Sequence, residues 1–168
     1  MKRILLVKTT SMGDVIHALP VLHDLTEHFP GVQVDWMVEA PFADLVRANA
    51  RVSQVIEVNL RVWRKLGLGE VIRQWKLLKA KLAGQPYDAV IDLQGLFKSA
   101  VLACAAPGPR MGAGFGHVRE KLAALFYRKR AGWDDNAHAV ERLRQLVAGL
   151  MGYRLSGPPV FYDRVPGK

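Results

Sequence analysis

Apolar and polar positions follow two rhythms along this chain. "RILLV" (3–7) is a continuous apolar run, as expected of a central strand buried on both faces. From Asp14 to His28 the rhythm changes. Val15, Ala18, Leu19, Leu22, Leu25 and Phe29 recur at three and four, which predicts a helix stopped by "FPG". "VQVDWMVE" (32–39) alternates and predicts a second strand. "PFADLVRAN" (41–49), with proline in its first turn, predicts a short helix, and "VSQVIEV" (52–58) a third strand. Between Glu70 and Ala83 the spacing of Val71, Ile72, Trp75, Leu78 and Leu82 gives a helix with an apolar side, ended by "GQP". "YDAVIDL" (87–93) reads as a fourth strand and "GLFKSAVLACAA" (95–106) as a further helix, stopped by "PGP".

Strand and helix thus alternate at least four times. That order implies an α/β fold: a Rossmann-like parallel sheet, helices on both faces, joined by right-handed crossovers. Between Pro107 and Asp135 the pattern weakens to a short strand at "RMGAG" and a helix at "REKLAALFY". "NAHAVERLRQLVAGLMG" (136–152) is again strongly helical. The tail "YRLSGPPVFYDRVPGK" has no period and is broken by proline and glycine, so it reads as a linker.

The 168 residues suffice for one domain with its own core, and the 50% apolar content is that of a globular chain. Apolar runs are short and interrupted by charge, so none can span a bilayer. The basic start "MKR" is followed by only four apolar residues, too few for a secretory signal, which leads us to expect a cytoplasmic protein. The lone Cys104, in "AVLACAA", permits no internal disulfide and is expected as a small buried side chain. The net charge of +9 calls for an anionic partner: nucleic acid, an acidic membrane surface, or a phosphorylated or carboxylated substrate. Between Arg61 and Lys81 seven basic residues face one acid, Glu70. A solvated helix face accounts for most of them.

In such a sheet, chemistry gathers beyond the carboxyl ends of the strands. Lys8 to Asp14 follow the first strand; Arg61, Arg64 and Lys65 follow the third; Asp92, Gln94, Gly95 and Lys98 follow the fourth. Asp14, at a helix start, has two readings. One is a first-turn acid that satisfies free N–H groups and the helix dipole. The other is a general base, kept ionised by the helix N-terminus. "GAGFG" (112–116) lacks the spacing and position of a dinucleotide fingerprint and reads as a flexible loop. His17, His23 and His28 are spaced by six and five and so share no face; no zinc pattern is present. His138 and Arg142 are four apart on one helical face, which a surface helix would also produce.

Five stretches together resemble the bacterial lipopolysaccharide heptosyltransferase family: "ILLVKTTSMGDVIHALPVLHDL", "VDWMVEAPFADL", "RVWRK", "YDAVIDLQGLFKSA" and "HAVERLRQL". The resemblance runs from Met1 to about Tyr153. It implies the N-terminal domain of a GT-B glycosyltransferase, with residues 1–153 binding the acceptor and 154–168 starting the interdomain linker, the donor domain being absent. It implies metal-independent, cofactor-free, inverting transfer of heptose from ADP-heptose to Kdo–lipid A, at the cytoplasmic face of the inner membrane. Asp14 matches the proposed catalytic base, and Lys8 and Ser11 line the same loop. Gly13 is expected for a close backbone approach or an unusual dihedral angle. Arg61, Arg64, Lys98, Arg119 and Arg142 fall where the family places acceptor-binding cations, and His138 comes with the same segment. Kdo carries a carboxylate and lipid A carries phosphates, so such cations suit the acceptor. The excess positive charge, with Trp63 and Trp75, suits contact with anionic headgroups. Within the family, the type adding the first inner-core heptose is favoured over types II and III, which differ in acceptor. A non-catalytic nucleic-acid-binding domain is supported only by net charge, since no nucleic-acid motif is present. Without the donor half, the polypeptide alone is expected to fold but not to transfer heptose.

Overall fold

The computed structural model describes residues 2–162. Six parallel strands form one sheet: β1 (Arg3–Val7), β2 (Gln33–Glu39), β3 (Val52–Val58), β4 (Ala89–Asp92), β5 (Arg110–Ala113) and β6 (Lys129–Ala131). Their order is β3-β2-β1-β4-β5-β6, the doubly wound arrangement in which the direction of winding reverses between β1 and β4. The helices are α1 (Met12–His28), α2 (Ala43–Arg47) after a 3-10 turn at Ala40–Phe42, α3 (Leu60–Lys65), α4 (Leu68–Leu82), α5 (Phe97–Ala103), α6 (Lys121–Ala124) and α7 (Ala139–Met151).

Side chains along a strand point alternately to opposite faces, and this divides the core in two. Ile4 and Leu6 of β1 pack with Val15, Leu19 and Leu22 of α1 and with Leu146 and Leu150 of α7. Leu5 and Val7 pack on the other face with Leu78 and Leu82 of α4 and Leu102 of α5. The alternation read in 32–39 suggests a strand with one wet face, yet β2 is buried from Val34 to Glu39 because helices cover both sides. Its Asp35 is tolerated there because Arg3 Nε (3.0 Å) and the Tyr87 hydroxyl (2.7 Å) donate to one carboxylate oxygen. Helices α1 and α7 are joined by a buried ion pair. Arg144 Nε and Nη2 donate to the two oxygens of Asp24 at 2.8 and 3.0 Å.

The structure departs from the sequence reading in four places. The basic stretch after β3 folds as α3, too short for periodicity to reveal. Of the five apolar residues assigned to the inner side of α4, only Leu78 and Leu82 are buried; Val71 and Trp75 are half-buried and Ile72 is exposed. Trp63 and Trp75 lean on the core cluster of Leu5 and Val7, so their first use is packing. Strand β6 carries no hydrophobic signal, because it is a three-residue edge strand of sequence "KRA". Cys104 is half-buried rather than buried, its Sγ 3.4 Å from the Ala100 carbonyl.

The segment read as the start of a linker folds back as far as it is described. Tyr153 stacks on His28 with ring centroids 4.2 Å apart. The Gly157 carbonyl accepts from Arg144 (3.3 Å), the Phe161 carbonyl from Asn49 Nδ2 (2.9 Å), and the Tyr162 hydroxyl donates to the Leu45 carbonyl (3.1 Å). Residues 163–168 lie outside the described residues. No helix among the described residues is long and apolar enough to cross a membrane.

Candidate functional site

At the point where the winding reverses, Val7 lies opposite Asp92, so the chain leaves β1 and β4 side by side at the same sheet end. Lys8 continues the ladder, donating its N–H to the Met37 carbonyl (3.2 Å). Its side chain turns inward, 8% exposed, and Nζ donates to the Leu93 carbonyl at 3.2 Å. Burial lowers the Lys8 pKa, Asp14 and Asp92 oppose that shift, and Arg119 reinforces it.

Asp92 organises the loop beyond β4. Its side chain is 1% exposed and accepts from Gln94 N–H (2.9 Å), Gly95 N–H (3.3 Å), the Ser99 hydroxyl (2.9 Å) and the Tyr127 hydroxyl. Burial raises its pKa, and these donors, Tyr127 first, restrain the rise. The turn they brace needs Gly95, whose φ is +70° and whose missing Cβ would meet Val118 and the Arg119 backbone at 3.4–3.5 Å. The Gly95 carbonyl in turn accepts from Glu120 N–H (3.0 Å), which fixes the neighbouring Arg119 beside the loop.

Across the gap, Asp14 stands in the first turn of α1. One of its oxygens accepts both the Ser11 N–H (3.2 Å) and the Ser11 hydroxyl (3.1 Å). It is therefore the first-turn cap that the bland reading foresaw, and it also lines a cavity. Burial pulls its pKa up. The Ser11 N–H, the Lys8 charge, the Ser11 hydroxyl and His17 together outweigh burial and hold the carboxyl below the usual range, so it is ionised at neutral pH.

These groups line a cavity of about 320 Å³, of the size of a small-molecule site. Its charged and polar lining is Lys8, Asp14, His17, the Asp92–Gly95 turn with Arg119 beside it, and Arg142. Arg142 is held by two backbone carbonyls, Nε to Ala137 (2.7 Å) and Nη2 to Asp135 (2.7 Å). The remaining wall is apolar and aromatic. His117 and Trp133 meet edge to face at 4.9 Å, backed by Val118, Leu143 and Leu146.

The structure thus brings Lys8, Asp14, Arg119 and Arg142 of the expected residues into one cavity. Ser11 serves it indirectly, through Asp14. Gly13 is helical, has no unusual dihedral angle, and a Cβ there would meet nothing within 4 Å, so neither expected reason for glycine is found in the protein itself. His138 caps α7 and is exposed, outside the cavity lining. Arg61, Arg64 and Lys98 form a second group around buried Glu39, at the carboxyl end of β2. Burial raises the Glu39 pKa; the Leu60 N–H (3.2 Å) and then Lys98, Arg61 and Arg64 draw it back. Sequence reasoning missed His117, Trp133 and the bracing function of Asp92 and Tyr127. The first two sit in the weakly patterned stretch before α7, and only the fold brings them beside α1. Among the described residues no group of three or more His, Cys, Asp or Glu could hold a metal ion.

Chemically, the cavity can bind an anion through Lys8, Arg119 and Arg142, while Asp14 presents an ionised carboxylate able to accept a proton.

Known proteins place this geometry in context. The sequence profile of glycosyltransferase family 9 (heptosyltransferase) matches residues 75–164. Lipopolysaccharide heptosyltransferase 1 of Escherichia coli (strain K12) is 44% identical over 153 residues, covering 90% of this chain and 48% of that protein. The enzyme of the same name from Pseudomonas aeruginosa is 45% identical over 156 residues, covering 91% and 44%. Among solved structures, E. coli heptosyltransferase WaaC with ADP-2-deoxy-2-fluoro heptose superimposes with a TM-score of 0.87 at 41% identity, covering 95% of this chain and 51% of that one. The chain spans about half the length of the relatives it matches. With the profile covering more than half of its residues, the chain belongs to glycosyltransferase family 9 (heptosyltransferase).

Proposed function

We propose that residues 1–153 are the acceptor-binding domain of an inverting, metal-independent heptosyltransferase that moves L-glycero-D-manno-heptose from ADP-heptose to the Kdo of Kdo–lipid A. The observation that carries this is the ionised Asp14 on the wall of a cavity that also gathers the cations Lys8, Arg119 and Arg142, while Asp92 is taken up by its own four hydrogen bonds. In the reaction, Asp14 accepts the proton of the attacking Kdo hydroxyl. The oxygen forms its bond to the anomeric carbon from the face opposite ADP, and ADP leaves with the electron pair of the broken bond. Lys8, Arg119 and Arg142 neutralise the acceptor carboxylate, and Arg61, Arg64 and Lys98 offer a second cationic field for the lipid A phosphates. In this reading ADP-heptose is held by a part of the enzyme outside residues 1–153, facing the cavity from across a cleft. The protein works in the cytoplasm, peripherally on the inner membrane. Acceptors of the type II or III enzymes would use the same cavity. Nucleic acid is not part of this reading, since no nucleic-acid motif accompanies the positive charge.

The test is calorimetric binding of a Kdo–lipid A analogue. Wild type and Asp14→Asn should bind alike, whereas Arg119→Ala with Arg142→Ala should bind at least about tenfold more weakly, each lost charged hydrogen bond being worth roughly 1.5–3 kcal/mol. Arg61→Ala with Arg64→Ala should weaken binding of the phosphorylated analogue but not of free Kdo. Equal binding by all the variants would defeat the assignment.

A further inference from the structure

The hairpin of α3 and α4 carries a surface that the cavity does not explain. Helix α4 touches the body through its carboxyl half, at Leu78 and Leu82. Its amino half leaves Leu68 76% and Ile72 46% exposed, and Leu66 at the preceding turn is 48% exposed. Leu68, Ile72, Lys76 and Lys79 are spaced by four, four and three, so they form one stripe along the helix. On its flank, Gly69, Ile72, Arg73, Lys76 and Leu77 line a shallow open groove. From Arg61 to Lys81 the only acid is Glu70, and Arg73 already pairs with it at 2.9 Å. Leucine and isoleucine interleaved with lysine on a helix that buries little against its own domain are suited to a surface that is apolar below and anionic above.

We infer that the outer face of this hairpin docks on an anionic phospholipid bilayer, with Leu66, Leu68 and Ile72 entering the headgroup boundary and Lys76 and Lys79 meeting the lipid phosphates. Charge complementarity selects this occupant: an apolar protein partner would leave the two lysines facing it unpaired. Helix α3 starts just beyond β3, so the hairpin begins at the sheet end that also holds the cavity. The inference rests on the peripheral-membrane part of the reading above and on none of the cavity residues, so its failure leaves the acceptor site standing.

The experiment is co-sedimentation of the full chain with vesicles of phosphatidylglycerol and phosphatidylethanolamine, against vesicles of phosphatidylcholine. Two variants accompany it: Leu68→Ser with Ile72→Ser, and Lys76→Gln with Lys79→Gln. All four side chains are exposed, so circular dichroism should show unchanged folding. The chain should bind the anionic vesicles and leave the neutral ones. The lysine pair should lower partitioning about 30-fold, at about fivefold per cation. The apolar pair should lower it about tenfold. Absence of binding, equal binding to both vesicle types, or undiminished binding by both variants would overturn the inference. So would light scattering that shows the wild type, but not the apolar variant, to be a dimer, since the face would then belong to a second copy.

Discussion

The ion pair between Asp24 and Arg144 is the sharpest test of how this domain is held together. Both side chains are almost wholly buried, 4% and 2% exposed, and they join the two helices that cover one sheet face. Replacing Asp24 by alanine leaves a guanidinium that cannot deprotonate in a place water does not reach. Removing one partner of a buried pair costs about 3–5 kcal/mol. Two contacts temper that figure: Arg144 keeps its bonds to Glu141 (3.1 Å) and to the Gly157 carbonyl (3.3 Å), so the lower end, about 3 kcal/mol, is expected. For a chain of this size each kcal/mol moves the melting midpoint by about 2–4 °C, which gives a loss of roughly 6–12 °C. The assay is denaturant unfolding followed by circular dichroism, with a thermal scan alongside. Asp24→Leu combined with Arg144→Met should recover most of the loss, because apolar replacement of a whole buried pair is close to neutral. If Asp24→Ala costs less than about 1 kcal/mol, or if the double variant is worse than the single one, the pair is not the tie between the helices and the reasoning fails.

Four further outcomes follow from the site and its supports. Tyr127→Phe removes a donor to buried Asp92 and should cost about 1–3 kcal/mol; Gly112→Ala should cost a similar amount because the new Cβ would run into the Tyr127 ring, and both are read by urea unfolding. The folded-state pKa of Asp14 is depressed, so its contribution to stability is present above the ordinary aspartate value of about 3.9 and fades as pH falls through the lower folded value. The stability gap between wild type and Asp14→Asn should therefore be wider at neutral pH than in acid, and a gap that widens on acidification would contradict the geometry. Arg142→Lys should weaken acceptor binding in the calorimeter about as much as Arg142→Ala, since a lysine cannot reproduce the two backbone anchors and still present a planar fork to the ligand.

How far the sequence could be read depended on element length and on distance along the chain. The alternation of β1 to β4 with their helices was legible because each buried face repeats its period several times. α1 and α7 were legible for the same reason. Helix α3 and strand β6 were not, being short and exposed, so their residues look like any charged loop. The cavity was half legible. Asp14 and Lys8 follow the first strand, and any open parallel sheet draws attention to that place. The grouping of the cations was not legible. The cavity gathers Arg119 and Arg142, while Arg61, Arg64 and Lys98 surround Glu39. What decides this is the carbonyl contacts of Arg142 and the Gly95–Glu120 bond beside Arg119, which no local pattern reports.

Asp14 shows why the bland and the chemical readings of a first-turn acid need not compete. A general base must stay ionised until its substrate arrives, and burial beside a cavity works against that. The Ser11 N–H and hydroxyl both bond to one oxygen of the carboxylate, and that bonding is what a helix cap supplies. No hydrogen bond to the second oxygen is found among the described residues, which leaves it for an incoming hydroxyl. Lys8 adds its charge from the side while its own ammonium is held on the Leu93 carbonyl. The cost is a weak base, since a depressed pKa lowers the driving force for proton abstraction. In the transfer proposed above, such a base suffices only if the leaving group does most of the work, as a diphosphate can. Removing the Ser11 hydroxyl should raise the pKa of Asp14, so Ser11→Ala tests the cap: the acidic limb of the stability profile should move to higher pH, and an unmoved limb would refute the hydroxyl's part in it.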